Sequence, residues 1–418
     1  MVGVDRGSAE WPVEESLAEL ERLAYTAGVD VVASVTQRLH RIDSRTLIGS
    51  GKVDEVAELV STTGSTVVLF DDDLTPRQQI NIETAIPQIR IVDRTGLILE
   101  IFAMHAVSRE GKLQVELAQL DYLLPRLRGM WGHLERERLG GGRGARFGAG
   151  ESQLETDRRL ARKRISDLRR ELKHVAAARE TQRKARAASG VFRIALVGYT
   201  NAGKSTLLNA LTGADVLAYD MLFATLDSTT RRLTLPDGRE ITLTDTVGFI
   251  HKLPHGLVDA FKSTLDEVRD ADFLLHVVDA SHPQAAAQMA AVDEVLAEIG
   301  ATGVPRLLVH NKADRLDPDE RSRLMSRQAE TTIVSAVTGE GIDALLGRLA
   351  AEAARMSTTM TLLVPYSRGE LVAAAHEETH LVSEHHTAEG TRLVVRVPET
   401  LVARFEPFEV EGEGDGEG

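Results

Sequence analysis

Residues 198–205 read Gly198-Tyr199-Thr200-Asn201-Ala202-Gly203-Lys204-Ser205, a complete G-x-x-x-x-G-K-[ST] phosphate loop. The apolar run Val191–Val197 ahead of it has the length of a buried strand. Glycines at this spacing let successive backbone N–H groups turn toward phosphate oxygens, and a helix opening near Lys204 adds the positive end of its dipole. Lys204 would then reach the β- and γ-phosphates and the Ser205 hydroxyl would ligate Mg²⁺, with Thr206 beside it in the first turn. An ordinary glycine turn would account for the loop alone, so the residues downstream decide.

Asn311-Lys312-Ala313-Asp314 closes the run Pro305–His310, which places it at a strand's C-terminal end, where open α/β sheets bind ligands. Guanine offers N1–H and N2–H₂ side by side, and one carboxylate, Asp314, can accept both. Adenine lacks that pair, so a buried Asp314 would be left poorly matched by ATP. Asn311 would tie this loop to the phosphate loop, and Lys312 would lie along the base. Backbone N–H near Ala336, in the Ser335-Ala336 pair after Thr332-Ile333-Val334, would donate to guanine O6. A solvated turn explains Asn311–Asp314 in isolation; its order and spacing after a phosphate loop select GTP.

Between these lie Asp245-Thr246-Val247-Gly248, after the alternating strand Glu240–Thr244, and Thr229 in the polar stretch Leu226–Arg232. Asp245 would hold Mg²⁺ through water, the Gly248 N–H would contact the γ-phosphate, and Thr229, rather than its neighbour Thr230, would supply the second metal-side hydroxyl. Metal ligation thus falls on Ser205, Thr229 and Asp245, and catalysis on Lys204, Thr229 and Gly248. Segments ordered by γ-phosphate and released on hydrolysis form a switch. Phe249 stands where many GTPases keep a water-positioning glutamine, and a phenyl ring cannot orient water. Hydrolysis is therefore slow alone or relies on backbone groups, a bound cation or a partner.

With five motifs in order, residues 191–355 resemble a translation-factor-class GTPase domain. Leu222-Phe223-Ala224-Thr225-Leu226-Asp227, Asp245–Ile250 with Leu253-Pro254, and His276-Val277-Val278-Asp279-Ala280 together resemble the HflX family of the Obg-like GTPases. Upstream, Ile48–Lys52, Phe70-Asp71, Val92–Thr95 and Gly140–Gly144 match that family's own N-terminal pattern. The resemblance implies a cytoplasmic GTPase, acting as a monomer, that binds the 50S subunit and splits or rescues stalled or idle 70S ribosomes. A ribosome-assembly GTPase and a signalling switch that binds a protein effector are the alternatives. Asn201 resembles the residue with which some related GTPases hold K⁺ beside the phosphates; an amide that only stabilises the loop is the competing reading. Two departures are Ser228, where the family often has Pro, and an acidic tail after residue 405.

At 418 residues the chain suggests about three domains, and with no cysteine it has neither disulfides nor cysteine-ligated metals. No apolar run reaches the length of a membrane span, and no secretory signal opens the chain. The net charge of −14 is unevenly spread: residues 126–186 hold 18 Lys/Arg against 8 Asp/Glu, so this segment is +10 and the remainder −24.

That basic segment lies within a limb, residues 109–188, expected to be an antiparallel helical hairpin. One apolar seam runs through Leu113, Leu117, Leu120, Leu124 and Leu127, on a helix that Pro125 would kink. A second runs through Leu154, Ala161, Ile165, Leu168, Leu172 and Val175. The glycine-rich connector 138–150 contains Arg138, Arg143, Arg146 and Phe147, suited to follow a phosphate backbone and stack on an unpaired base. Electrostatics alone also permits an acidic protein or a bare linker. The family resemblance points this tip at 23S rRNA of the peptidyl-transferase region.

Residues 16–108 alternate strand-like runs (Val29–Val35, Thr66–Phe70, Ile89–Val92) with helical stretches (Gly51–Val60, Pro76–Ala85, Gly96–Met104), which predicts a parallel α/β domain. Gly49-Ser50-Gly51-Lys52 lacks the spacing of either glycine fingerprint and reads as a helix start rather than a second phosphate site. Residues 357–405, with strands such as Thr361–Val364 and Arg392–Val397, form a small α+β unit, and 406–418 an acidic disordered tail. His376-Glu377-Glu378-Thr379-His380, with His385 and His386 near, is a literal H-E-x-x-H. It falls at the end of a short Ala-rich helix with no cleft, so zinc peptidase chemistry is the weaker reading. The whole chain is thus expected to be a multidomain α/β protein built around a Ras-like P-loop GTPase domain.

Overall fold

The structure, a computed structural model, describes residues 1–7, 11–127, 149–188, 191–213, 221–223, 225–252, 262–327, 332–355, 357–398 and 401–410. Strands β1 (Val2–Asp5), β2 (Val35–Arg38), β3 (Val67–Phe70) and β4 (Arg90–Asp93) form a parallel sheet in the order β2-β1-β3-β4. Helices α1 (Val13–Thr26), α2 (Ser50–Thr63), α3 (Pro76–Ala85) and α4 (Arg94–His105) accompany them. The sheet therefore begins before residue 16: Val2 and Val4 are buried in its core, but four residues are too few to announce a strand. Of the run Val29–Val35 only Val35 belongs to β2; residues 29–34 lead into it. Thr75 and Gln78 close a capping box on α3, with Pro76 in its first turn.

The arm consists of α5 (Arg109–Leu123) and α6 (Ala149–Ala188). Ion pairs Arg164–Glu116, at 2.7 Å, and Arg169–Asp121, at 3.2 Å, join them. Of the two seams, Leu113, Ile165 and Leu168 are buried, whereas Leu117, Leu120 and Leu124 are half-buried. Pro125 does not kink α5; the helix stops at Leu123 and Pro125 sits in the turn beyond it. Arg138, Arg143, Arg146 and Phe147 lie outside the described residues.

The third unit is a six-stranded sheet of order β10-β9-β8-β5-β7-β6, built from β5 (Phe192–Gly198), β6 (Thr229–Thr234), β7 (Glu240–Asp245), β8 (Phe273–Asp279), β9 (Arg306–Asn311) and β10 (Thr332–Ile333). Only β6 runs antiparallel to its neighbour. Helices α7 (Lys204–Thr212), α8 (Lys262–Arg269), α9 (Ala285–Glu298), α10 (Pro318–Arg327) and α11 (Ile342–Arg355) connect the strands. One apolar core runs through the first and third units, including Leu20, Leu23 and Phe102 from the first and Tyr199, Phe223, Leu226 and Phe249 from the third.

The last unit is an antiparallel sheet β11-β13-β12 of β11 (Ser357–Val364), β12 (His380–His386) and β13 (Thr391–Pro398), with α12 (Gly369–Glu378) and α13 (Val402–Phe405). H-E-x-x-H is divided by the end of α12: His376 lies in its last turn while His380 opens β12, so the motif does not lie on one helix. His376 Nε2 instead lies 2.9 Å from Glu384. The start of the acidic tail is structured, contrary to expectation. Phe408 packs on the unit's core and the Val410 N–H donates to the Thr361 carbonyl at 2.8 Å, which anchors residues 406–410. Among the described residues no helix is long and apolar enough to cross a membrane.

Candidate nucleotide-binding site

The phosphate loop follows β5 at the centre of the sheet and opens α7, with all of β5 but its first residues buried. Gly198 and Gly203 take φ of +153° and +91°. A Cβ on either would strike a fixed neighbour: the Val277 carbonyl at 2.2 Å or the Asn311 amide at 2.3 Å. Lys204 is buried, its Nζ donating to the Gly198 and Tyr199 carbonyls at 3.2 and 3.0 Å. Burial pulls its pKa down to about 8 against the opposing pull of Asp245. An ammonium held in a dry loop by neutral carbonyls is a ready partner for a polyanion. Thr200, Asn201, Thr206 and Gly248 also line this pocket, with Asn201 at φ +59°.

Asp245 ends β7 fully buried and accepts from Ser205 Oγ at 2.6 Å. Its other oxygen, Oδ1, has no hydrogen-bond partner, nor does the buried Thr200 hydroxyl. Burial raises the Asp245 pKa, which Lys204, Ser205 and Thr225 oppose. A buried carboxylate with a free oxygen beside a serine hydroxyl fits a hard divalent cation. The second hydroxyl there is not that of Thr229. Thr225 Oγ1 lies 2.9 Å from Ser205 Oγ and donates to Asp245 at 3.0 Å, whereas Thr229 starts β6 as the backbone partner of Asp245. Thr225 stands in the run Leu222–Asp227, four residues before Thr229, and no local spacing separates the two hydroxyls.

Phe249 is wholly buried, and its backbone is bonded to the phosphate loop on both sides, Thr200 N–H to Phe249 O at 2.7 Å and Phe249 N–H to Gly198 O at 3.1 Å. The side chain after Gly248 thus serves the core and does not line the phosphate-loop pocket.

At the far end, Asn311 donates to the Ala202 carbonyl at 2.9 Å and accepts the Ala336 N–H at 3.0 Å. One side chain therefore joins the phosphate loop to the Ser335-Ala336 loop. The Ala336 N–H, expected to donate to guanine O6, is occupied by Asn311. Lys312, at φ +65°, pairs with Asp279 at 2.7 Å, which fixes its side chain beside the end of β8. Asp314 is exposed rather than buried, with Ser335 Oγ donating to it at 2.5 Å, so a base stacked there would itself shield the carboxylate.

Within the phosphate loop the Tyr199 side chain turns away from the pocket and into the first unit. Its hydroxyl donates to Glu19 at 2.5 Å and accepts the His251 N–H at 2.6 Å. Glu19 pairs with the buried Arg94, Arg94 with Asp71 at 2.7 Å, and Asp71 with Lys252 at 2.6 Å. Trp11 stacks on His251 at 4.4 Å between centroids. Burial raises the Glu19 pKa, while Arg94 and Lys252 outweigh desolvation and hold Asp71 low. This charged chain links the phosphate loop and the segment after Phe249 to the first sheet. Nothing local in the sequence marks it, because its bonded partners lie up to 181 residues apart.

Gly49 is the N-cap of α2, its N–H is taken by Gln37 at 2.9 Å, and Lys52 pairs with Glu55 at 2.7 Å. Two groups that a second phosphate would use, the Gly49 N–H and the Lys52 ammonium, are thus engaged internally.

A phosphate loop on the central strand, a buried aspartate beside its serine and an Asn-Lys-x-Asp turn at the base end together define a P-loop GTPase. Family models match along the chain: a GTP-binding GTPase N-terminal region at residues 14–103, a GTP-binding GTPase middle region at 105–186, and a 50S ribosome-binding GTPase domain at 193–312. The GTPase HflX of Escherichia coli is 46% identical over 92% of this chain and 90% of its own. That of Caldanaerobacter subterraneus is 45% identical over 94% and 90%. A solved GTP-binding protein from Sulfolobus solfataricus, in complex with GDP, is 26% identical, covering 85% of this chain and 98% of its own at a TM-score of 0.43. The chain belongs to the HflX family of GTPases.

Proposed function

We propose that the chain is a GTP-driven factor that docks on the 50S subunit through its basic arm and separates or rescues 70S ribosomes that are stalled or idle. The observation that carries this reading is the concentration of +10 on residues 126–186 of a chain of net charge −14, in an arm attached to a GTPase domain. A positive limb on an acidic body favours a polyanion at one place only. Membership of the HflX family and the match to a 50S ribosome-binding GTPase domain support the ribosome as that polyanion.

Lys204 and the phosphate-loop amides hold the phosphates, and Asp314 reads the guanine edge. Ser205, Thr225 and Asp245 are the residues that would hold Mg²⁺, which when bound neutralises charge on the β- and γ-phosphates. Phe249, committed to the core, leaves water activation to the docked subunit, so the ribosome accelerates turnover. Replacing Arg143 and Arg146 by Glu tests the docking. Association with purified 50S particles in a GTP-analogue state should collapse while ribosome-free GTP turnover stays within about twofold, since charge reversal removes phosphate contacts only. Undiminished 50S association would refute the reading.

A further inference from the structure

We propose that Asp227 is a latch that connects the occupancy of the metal site to the root of the arm. The inference deepens the function proposed above, on which it rests, by naming the contact through which nucleotide state reaches α5. Thr225 lies with Ser205 and Asp245 at the metal site, and Asp227 is two residues further on. Its carboxylate accepts the Val107 N–H at 2.9 Å and the Ser108 N–H at 2.7 Å through one oxygen, and the Ser108 hydroxyl through the other. Ser108 is the N-cap of α5, its Oγ accepting the Gly111 N–H at 2.9 Å. The GTPase domain therefore supplies an anion to the positive end of the arm's first helix, where N–H groups lack intrahelical partners.

A second observation shows that the fit is close. A Cβ at residue 111 would lie 2.5 Å from Asp227 Oδ1, so the carboxylate reaches the helix only because that position is glycine. Gly111 has ordinary helical backbone, for which glycine is otherwise the poorer choice. The chain is pinned on either side of Thr225: the Phe223 ring before it meets Phe102 edge-on at 4.6 Å, and Leu226 after it is buried. Two peptide units span at most about 7 Å, so a withdrawal of Thr225 from the metal site that exceeds the slack of this short tether draws Asp227 from the helix. The state that holds Thr225 at the metal caps α5; the state that releases Thr225 uncaps it.

Hydrogen exchange of the full-length chain, read on residues 107–112 with Mg²⁺ and either GDP or a non-hydrolysable GTP analogue, tests the latch. The unsubstituted chain should exchange at least about fivefold more slowly there in the analogue state, the scale of losing a charged helix cap. Asp227→Asn should shrink that difference. Gly111→Ala separates a latch from helix stability, because alanine favours the helix while its methyl displaces the carboxylate. The difference between nucleotides should vanish in G111A with nucleotide affinity within about twofold of the parent. A nucleotide-dependent difference that survives in G111A, or none in the parent, overturns the proposal. No ribosome enters the assay, so a working latch in a chain that fails to sediment with 50S particles would condemn only the docking.

Discussion

Tyr199→Phe removes a single oxygen, and the structure sets what that should cost. The hydroxyl donates to the Glu19 carboxylate at 2.5 Å and accepts the His251 N–H at 2.6 Å, with Tyr199 and Glu19 both buried. A hydrogen bond to a charged group contributes about 1.5–3 kcal/mol, and an abandoned buried N–H adds about 1 kcal/mol or more. Arg94 still neutralises Glu19, so the expected local loss is about 2–4 kcal/mol rather than that of an unpaired buried charge. The loss should fall where the two units meet, not across the whole molecule. Hydrogen exchange of the peptide spanning residues 249–252 reads it directly, and should quicken by roughly 30- to 1000-fold, that free energy expressed as a local opening constant. Peptides from the C-terminal sheet should be unchanged. Acceleration of less than about threefold at 249–252 would show that the Glu19–Tyr199–His251 contact does not hold the units together.

Further outcomes follow from the same geometry. Lys204 titrates at about 8 in the free protein, and bound phosphates favour its charged form. GTP affinity should therefore be full below pH 8 and fall as pH rises through it, with proton uptake on binding seen by calorimetry in buffers of differing ionisation enthalpy. Thr225→Ala should lower GTP turnover by at least about tenfold and weaken its Mg²⁺ dependence, while Thr229→Ala stays within about threefold, because only the first removes a hydroxyl at the metal site. The reverse order in single-turnover assays would restore Thr229 to that role. Asp314→Asn should weaken GTP binding by about 10²-fold and improve binding of xanthosine triphosphate, since an amide pairs with the N1–H and O2 that xanthine presents. Competition against a fluorescent nucleotide measures both.

The phosphate loop and the Asn311–Asp314 turn were legible in the sequence because their chemistry depends on short, fixed spacings and on backbone freedom at particular residues. The parallel sheets were legible from alternating runs. What escaped was set by tertiary contacts. Thr225 comes to the metal site because Phe223 and Asp227 are anchored on a different unit, which no pattern near Thr229 records. Tyr199 carries a motif position yet spends its side chain on Glu19, 180 residues away. Strand β1 was too short to signal, and α5 ended at Leu123 because proline could not continue it. The Ala336 N–H is taken by the Asn311 side chain, a contact 25 residues away that the Ser335-Ala336 pair does not reveal.

The most direct test of the account is co-sedimentation of the full chain with purified 50S subunits in three conditions: a GTP analogue, GDP and no nucleotide. The account predicts stable association with the analogue, and association at least about tenfold weaker with GDP or without nucleotide, the scale of typical coupling between two sites. Equal association in all three, or none in any, would contradict it.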